Sequence, residues 1–151
     1  MPRSKEFDEE EVLRKAMLLF WQKGYYDTSI KDLIKFLGIS NASIYHTFGG
    51  KQQLFDRAFE LYKKINYEGL KAFLEEQDDT KAAMRLVFQK IVQDDHVDED
   101  CKGCFIANST LELLPKNQKI EASIVGYKNE MVQVFLSFLE KGVKSGQISA
   151  D

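Results

Sequence analysis

The apolar residues of this chain recur mainly at intervals of three and four, which is the period of one buried face of an α-helix. One short stretch shows the pattern clearly, with apolar residues at Ile30, Leu33, Ile34 and Leu37. Ser29 and Asp32 form a capping-box pattern at its start, and Gly38 directly behind it suits a left-handed helix stop. The sequence therefore predicts a short helix over 30–37.

A second short helix is predicted immediately afterwards, from Asn41 to Thr47, with Ser40 as its N-cap. Ile44 and Phe48 are its inward residues. Since successive residues turn by about 100°, the outward face carries Asn41, Ala42, Ser43, Tyr45 and His46. This face has no large aliphatic side chain, so we expect it on the surface. Two short helices joined by a glycine turn make a helix-turn-helix, whose second helix suits the major groove of DNA.

The remaining apolar periodicity predicts five further helices and no strand. They cover about Asp8–Lys23, Lys51–Gln77, Thr80–Asp94, Cys104–Leu114 and Gln118–Ser145. We expect a loop over Asp95–Gly103. The expected fold class is therefore all-α, with a three-helix helix-turn-helix DNA-binding domain in residues 1–50 and a helical effector-binding and dimerisation bundle in residues 51–151.

A longer string of residues carries a family resemblance. It consists of Gly24-Tyr25, Thr28-Ser29, Gly38-Ile39-Ser40, Ile44-Tyr45-His46-Thr47-Phe48, Lys51 and Leu54-Phe55. Its order and spacing resemble the TetR family of bacterial transcriptional regulators, without a gap from Gly24 to Phe55. There are two departures: Ile34 stands where alanine is more usual, and Ala42 stands where glycine or proline is frequent. Neither threatens the fold, although Ala42 changes what can contact a base.

The resemblance implies a repressor that binds double-stranded DNA at a palindromic operator as a homodimer. The candidate DNA contacts are Thr28, Ser29, Asn41, Ala42, Ser43, Tyr45, His46 and Lys51. The first two suit a phosphate because they lie at a helix N-terminus. Asn41 can donate and accept hydrogen bonds at base edges, and the Ala42 methyl can meet a thymine methyl. By resemblance, Tyr45 and Lys51 hold phosphates. For Tyr45 and His46 the plainer interpretations, a packing residue and a surface histidine, stay open.

The second half resembles the family's ligand-binding domain in outline. Family members commonly enclose an apolar pocket among these helices, and an inducer bound there moves the two DNA-reading heads apart. The candidate pocket residues are Phe59, Tyr62, Phe88, Phe105, Tyr127 and Met131. A plain core also places aromatic residues at helical spacing, so each has that second interpretation. The implied effector is a small apolar or aromatic ligand, which the sequence does not identify.

The resemblance is incomplete at the end of the chain. Family members usually continue past the seventh helix with two more helices, which pair with a twin subunit. Here the chain ends at GQISAD, where that connection would begin. A helix-turn-helix reads a palindrome when its two heads are held about one DNA turn apart. We therefore expect either a fragment, which the family pattern favours, or dimerisation through the seventh helix and other exposed surface.

Cys101 and Cys104 form a CxxC pattern whose interpretation stays open. In a subset of the resembling family, a cysteine like Cys104 senses oxidants or electrophiles, and a position near a helix N-terminus favours a reactive thiolate. The acidic residues at 98–100 oppose that effect. A free cysteine is also commonly a small buried apolar residue. Metal binding together with His96 and nearby carboxylates is a weaker interpretation, because the second ligand pair of a zinc site is missing. A thioredoxin-type enzyme is weaker still, because its CxxC needs a βαβ context and no strand pattern is visible.

Charge separates the two halves of the chain. Residues 1–51 hold eight Lys or Arg against seven Asp or Glu, a net of +1, whereas residues 52–151 hold thirteen against seventeen, a net of −4. The overall acid excess, a net of −3, therefore lies outside the DNA-binding part. We expect ordinary nonspecific DNA affinity that depends strongly on salt.

Several function classes find no support in the sequence. There are two histidines, no glycine-rich phosphate loop and no Ser-His-Asp grouping, so we expect neither an enzyme nor a cofactor or metal. No apolar run approaches the ~20 residues that span a bilayer, and no signal-peptide core is present, so we expect a cytoplasmic protein without a membrane partner. The alternative function is a protein-interaction module that kept the helix-turn-helix but lost DNA binding.

Overall fold

The computed structural model describes residues 7–97, 102–114 and 117–149, and only the backbone within 94–97. In these ranges the chain forms seven helices and no strand: α1 Glu9–Lys23, α2 Ile30–Leu37, α3 Asn41–Phe48, α4 Lys51–Glu75, α5 Thr80–Val97, α6 Phe105–Leu113 and α7 Gln118–Lys144. The all-α prediction is confirmed, and the two short helices lie where the sequence placed them. The largest difference is in α5, which continues to Val97 through the start of the expected loop.

Local signals set the ends of α2. The Ser29 hydroxyl accepts a hydrogen bond from the Asp32 amide at 3.1 Å, and the Asp32 carboxylate accepts one from the Ser29 amide at 2.8 Å. Gly38 ends the helix in the left-handed region, with φ 69° and ψ 23°. Glycine enters this region without the steric cost that a side chain brings. The capping box and the glycine stop are both confirmed.

One hydrophobic core joins the first three helices to α4, α6 and the start of α7. Phe20 of α1, Ile44 of α3 and Phe55 of α4 are almost completely buried. Phe105 and Leu113, at the two ends of α6, belong to the same cluster. Burying one such side chain contributes roughly 1.5–3 kcal/mol. The helix-turn-helix is therefore held against α6 by shared packing as well as through α4.

A second, smaller core joins the end of α4 to α5 and α7. Its buried members are Leu74, Ala83, Val87 and Phe138. Gln147 fixes the start of α5, because its side chain accepts a hydrogen bond from the Thr80 amide at 2.7 Å and donates one to the Asp78 carbonyl at 2.7 Å. Gly142 of α7 faces the Thr80 side chain with no room for a methyl group. The far side of α5 is exposed and apolar, with Leu86, Phe88, Ile91 and Val92.

A polar cluster links α4 to α7. The Lys63 side chain is only 11% exposed, and its ammonium lies 2.8 Å from both carboxylate oxygens of Glu60 and 2.7 Å from Ser123 Oγ. Ser123 in turn donates to Glu60 at 2.6 Å. Although burial opposes ionisation, the hydrogen bonds from Lys63 and Ser123 hold the pKa of Glu60 below its usual range. These bonds fix the register of α7 against α4.

Candidate nucleic-acid interface

The outward face of α3 is exposed, as the sequence predicts. Ile44 is fully buried and Phe48 nearly so, which turns the opposite side of the helix to solvent. Four predicted residues are exposed together on that side: Asn41, Ala42, Tyr45 and His46. Ser43 is half-buried, and its hydroxyl lies 2.9 Å from the hydroxyl of Ser40, the N-cap residue. Ser43 therefore takes part in capping α3, while the other four form its surface.

Tyr45 is placed by the glycine break that follows α3. Its side chain is 55% exposed, and its ring lies against Gly50. A Cβ atom at Gly50 would come within 3.2 Å of Tyr45 Cε1, and the φ of Gly50 is +119°, where other residues are strained. Gly50 therefore lets the ring rest on the backbone while more than half of the tyrosine side chain stays accessible.

Lys51, the first residue of α4, has its ammonium over an aromatic ring. Its Nζ lies 4.3 Å from the ring centroid of Tyr25, within the range of a cation–π interaction. Burial lowers the pKa of Lys51, and the charges of Glu112, Asp27 and Asp32 partly counter that effect. A cation held in this way at the edge of a helix-turn-helix is a suitable ligand for a phosphate.

The two hydroxyls at the start of α2 are engaged within the protein. Thr28 is fully buried, and its hydroxyl donates to the Gly24 carbonyl at 2.5 Å. The predicted contact of this hydroxyl with a phosphate does not fit the structure, because Thr28 instead fixes the turn after α1. Ser29 is exposed, but its hydroxyl donates to Asp32 at 2.7 Å. Hydrogen bonds from Ser29, and the Lys23 ammonium at 3.0 Å, hold the pKa of Asp32 far below its usual range. A carboxylate thus stands where a phosphate was expected.

Three of the six predicted pocket residues pack against one another in the larger core. Phe59 and Phe105 are buried with ring centroids 5.8 Å apart, and Tyr62 meets Phe105 edge-on at 5.4 Å. Trp21 of α1 stacks on Phe105 at 6.2 Å. Burial, followed by the influence of Cys104, raises the pKa of the Tyr62 phenol. These rings fill the space between α1, α4 and α6, so in this structure they are core residues.

The other three predicted pocket residues lie on α5 and α7. Tyr127 and Met131 are half-buried on α7. The pKa of Tyr127 is raised by burial and then by Cys104. Phe88 lies apart from the other five, 61% exposed on α5. A groove of about 350 Å³ in the described part of the chain runs between α4 and α7, lined by Tyr67, Lys71, Leu74, Glu75, Gln133, Val134, Ser137, Phe138 and Lys141. None of the six predicted residues lines this groove, but Phe88 lines a second, open groove on α5, together with Arg85, Gln89, Val92 and Gln93.

Cys104 is the N-cap residue of α6, and its thiol is free and exposed. It lies close enough to the Tyr62 phenol to raise the pKa of that group. The interpretation of Cys104 as a buried apolar residue does not fit this position. Cys101 lies outside the described residues, as does the side chain of His96. Among the residues that the structure describes, no group of three or more His, Cys, Asp or Glu side chains is placed to hold a metal ion.

Two contacts near the ends of α6 were not predicted from the sequence. Glu112 accepts hydrogen bonds from the amides of Tyr25 at 3.0 Å and Tyr26 at 2.7 Å, in the turn between α1 and α2. Trp21 Nε1 donates to the Gly103 carbonyl at 2.8 Å. The partners are 82 to 87 residues apart in the chain, so no local pattern reveals them. The available signal is that Glu112 is the only charged residue in α6.

A capped, exposed α3 packed behind α2 and joined to a helical bundle defines a helix-turn-helix DNA-binding protein. The profile of the family described as bacterial regulatory proteins, tetR family, matches residues 12–58. YezE, an uncharacterized HTH-type transcriptional regulator of Bacillus subtilis strain 168, is 31% identical over 100% of this chain and 78% of its own length. The chain therefore belongs to the tetR family and is a DNA-binding transcriptional regulator, which confirms the resemblance found in the sequence.

Other relatives agree with this assignment. ComR of Escherichia coli K12, an HTH-type transcriptional repressor, is 28% identical over 97% of this chain and 70% of its own length. A cysteine mutant of the TetR family regulator CifR, solved with 26-bp double-strand operator DNA, has a TM-score of 0.84 at 24% identity, over 99% of this chain and 78% of that one. The structure of reduced E. coli NemR has a TM-score of 0.82 at 16% identity, over 90% of this chain and 71% of that one. These two structures share the fold.

The relatives are transcriptional regulators, which are not enzymes. In the part of the chain that the structure describes, no helix combines the length and the apolar character needed to cross a membrane.

Proposed function

We propose that the protein is a transcriptional repressor that binds a palindromic double-stranded operator as a homodimer through the exposed face of α3. The observation that carries this proposal is that four polar or small side chains are exposed opposite the fully buried Ile44. Two relatives support it, since ComR is named a repressor and CifR was solved with operator DNA. A regulator that acts on the DNA of a bacterial cell works in the cytoplasm, so we expect the protein there.

The residues of this surface divide into base readers and phosphate ligands. Asn41 and His46 reach base edges by hydrogen bonds, and the Ala42 methyl contacts thymine methyl groups. Tyr45 and Lys51 bind phosphates, which position the protein without reading sequence. A good base contact discriminates between bases by roughly 1–3 kcal/mol. Loss of a base reader should therefore reduce selectivity, while loss of a phosphate ligand should weaken binding to all DNA.

Residues 1–50 would then read DNA, and residues 51–151 would bind the effector and dimerise. The position of α3 supports the first assignment. The second is supported by the exposed Cys104 and its neighbours Tyr62 and Tyr127, which all lie beyond the helix-turn-helix.

Selection of tight-binding duplexes from a random library, followed by fluorescence anisotropy at two salt concentrations, tests the proposal. Asn41→Ala should weaken binding to the selected duplex by about fivefold or more and leave binding to a shuffled duplex unchanged. Lys51→Ala should weaken binding to both duplexes alike. It should also reduce the slope of log affinity against log salt by the amount expected for about one phosphate contact. Lys128→Ala removes an exposed lysine of α7 and serves as the matched control. A wild-type protein without any preference would contradict DNA reading and favour a protein-interaction module.

Release from the operator comes from a small apolar or aromatic ligand or from modification of the Cys104 thiol. The exposed thiol at the start of α6 supports the second route. N-ethylmaleimide is a suitable probe, because the sulfur adds to its double bond and the proton ends on the adjacent carbon. We expect alkylation to release the selected duplex from the wild type and from Cys101→Ser. Cys104→Ser should keep its affinity, and release that persists in this variant would contradict the thiol route.

A further inference from the structure

We propose that Glu112 of α6 is a positioning residue for DNA binding, which holds the turn between α1 and α2 and thereby sets the place of Lys51. The inference rests on the proposed function and adds a regulatory connection to it. Lys51 belongs to the DNA-binding surface, whereas Glu112 belongs to the half of the chain assigned to the effector. The carboxylate of Glu112 connects the two.

The first step of the connection is a carboxylate that holds two successive backbone amides. Glu112 Oε2 lies 3.0 Å from the Tyr25 amide, and Oε1 lies 2.7 Å from the Tyr26 amide. Hydrogen bonds from amides to a carboxylate are stronger than those between neutral groups. Gly24 makes the approach possible, because a Cβ atom there would lie only 2.9 Å from Oε2. The carboxylate therefore rests directly on the turn backbone and fixes its position.

The second step runs from the turn to Lys51. The Tyr25 ring lies 5.1 Å from Phe55 and 6.3 Å from Phe20 between centroids, so it is wedged between α1 and α4. Its face carries the Lys51 ammonium at 4.3 Å. The negative charge of Glu112 also acts on Lys51. A shift of the turn therefore moves the ring on which the ammonium rests.

The third step makes this arrangement sensitive to α6. Trp21 of α1 donates to the Gly103 carbonyl at 2.8 Å, just before the start of α6, while Glu112 lies at its end. We call these two contacts, Trp21–Gly103 and Glu112 with the Tyr25 and Tyr26 amides, the α6 anchor. Since both contacts hold the end of α1 and the turn after it, α6 cannot move without breaking one of them or carrying the turn along. An effector that displaces α6 would thus reach the DNA-binding surface.

Glu112→Gln and Glu112→Asp separate positioning from charge. Glutamine has the same length but turns an NH₂ group toward one of the amides, so one hydrogen bond is lost. Aspartate keeps the charge but is one methylene too short to span both amides. The control is Glu140→Gln, which removes an exposed carboxylate of α7. The readout is the ratio of affinities for the selected and the shuffled duplex, measured by anisotropy with the whole protein.

The Glu112 variants displace the Lys51 ammonium without removing it, so a phosphate is still held but α3 meets the bases in a shifted register. Both variants should therefore lose about fivefold to tenfold of the affinity for the selected duplex. Affinity for the shuffled duplex should stay unchanged in Glu112→Asp and stay unchanged or rise slightly in Glu112→Gln, which is less acidic. Glu140→Gln should preserve the ratio. Equal ratios in the wild type and both Glu112 variants would overturn the proposal. An equal loss on both duplexes would do so too, because that is what a merely structural residue produces.

A double-mutant cycle keeps the proposal testable if Glu112→Gln folds poorly. Tyr25→Leu removes the ring beneath Lys51 and keeps the backbone amide, so Glu112→Asp can be combined with it. If Glu112 acts through Tyr25, the combined loss of selectivity should be clearly smaller than the product of the single losses. Independent, multiplicative losses would overturn the connection. A wild type without preference for its selected duplex would instead refute the proposed function, and this inference with it.

Discussion

Replacing Gly142 by alanine should weaken the packing of α5 on α7. A Cβ atom there would lie 2.5 Å from Thr80 Oγ1, 2.8 Å from its Cγ2 and 3.0 Å from its Cβ. The first two distances are shorter than Cβ atoms in proteins tolerate, and Thr80 is buried, so its side chain has little room to yield. An extra methyl group in a packed site costs typically 1–3 kcal/mol.

Gly126 of the same helix provides the matched control, since a Cβ atom there meets nothing within 4 Å. Alanine in place of glycine inside a helix stabilises by about 1 kcal/mol through helix propensity alone. Gly126→Ala should therefore be more stable than the wild type by about this amount. Gly142→Ala gains at most as much, because Gly142 lies near the end of α7. Its net effect should range from no change to a loss of about 2 kcal/mol.

Urea unfolding followed by far-ultraviolet circular dichroism measures these free energies, and an unchanged slope shows that the transition itself is the same. The penalty of Gly142→Ala should shrink in a Thr80→Ala background, because that change removes the two nearest atoms. If Gly142→Ala proves as stable as Gly126→Ala, the close approach of α5 to α7 is refuted.

Three further predictions concern a carboxylate, a thiol and a glycine. Glu60→Gln should destabilise the protein at neutral pH. Because the pKa of Glu60 is lowered in the fold, the difference in unfolding free energy between wild type and variant should shrink as pH falls below the ordinary carboxyl pKa of 4.5. A difference that does not change with pH in urea titrations would contradict this. Trp21, the only tryptophan, donates a hydrogen bond to the carbonyl of Gly103, the residue before Cys104. Alkylation of the Cys104 thiol should therefore change the fluorescence emission of Trp21, and an unchanged spectrum would show that the thiol does not influence the tryptophan. Gly50→Ala should weaken binding to the selected duplex more than Gly38→Ala does, because both glycines have positive φ but only Gly50 touches Tyr45. Equal losses of affinity, measured by anisotropy, would refute this.

The two short helices could be predicted closely because their determinants are local. A capping residue, its partner three positions on and a left-handed glycine all act within a few residues of one another, so the sequence displays them. The same holds for Ile44, whose place on the buried side of α3 follows from helical geometry alone. These elements needed no knowledge of distant parts of the chain.

Residues whose roles depend on tertiary contacts were assigned less well. Thr28 has the residue type and position of a phosphate ligand, yet the turn after α1 buries its hydroxyl. Phe88 has helical spacing, but spacing cannot tell which side of α5 meets α7. Glu112 is the only charged residue of α6, and only folding brings it to amides that are 86 and 87 residues away in the chain. In each case the missing information is a partner far along the chain.

The charge distribution of the DNA-binding part bears on how it selects a site. Lys23 is paired with Asp32 at 3.0 Å, and Lys51 lies over the Tyr25 ring. Residues 1–51 carry a net charge of only +1, so the release of counterions gives modest nonspecific affinity. Selectivity must then come from short-range contacts of α3, whose start is capped by Ser40 and whose register on the bases we propose to depend on the α6 anchor. An effector that changes the alignment of α3, and not the charge of the DNA-binding surface, should lower the affinity for the selected duplex. It should leave the salt dependence of binding to shuffled DNA unchanged. A salt series before and after alkylation with N-ethylmaleimide measures both quantities, and a changed slope on shuffled DNA would show that charge, and not alignment, is the variable under control.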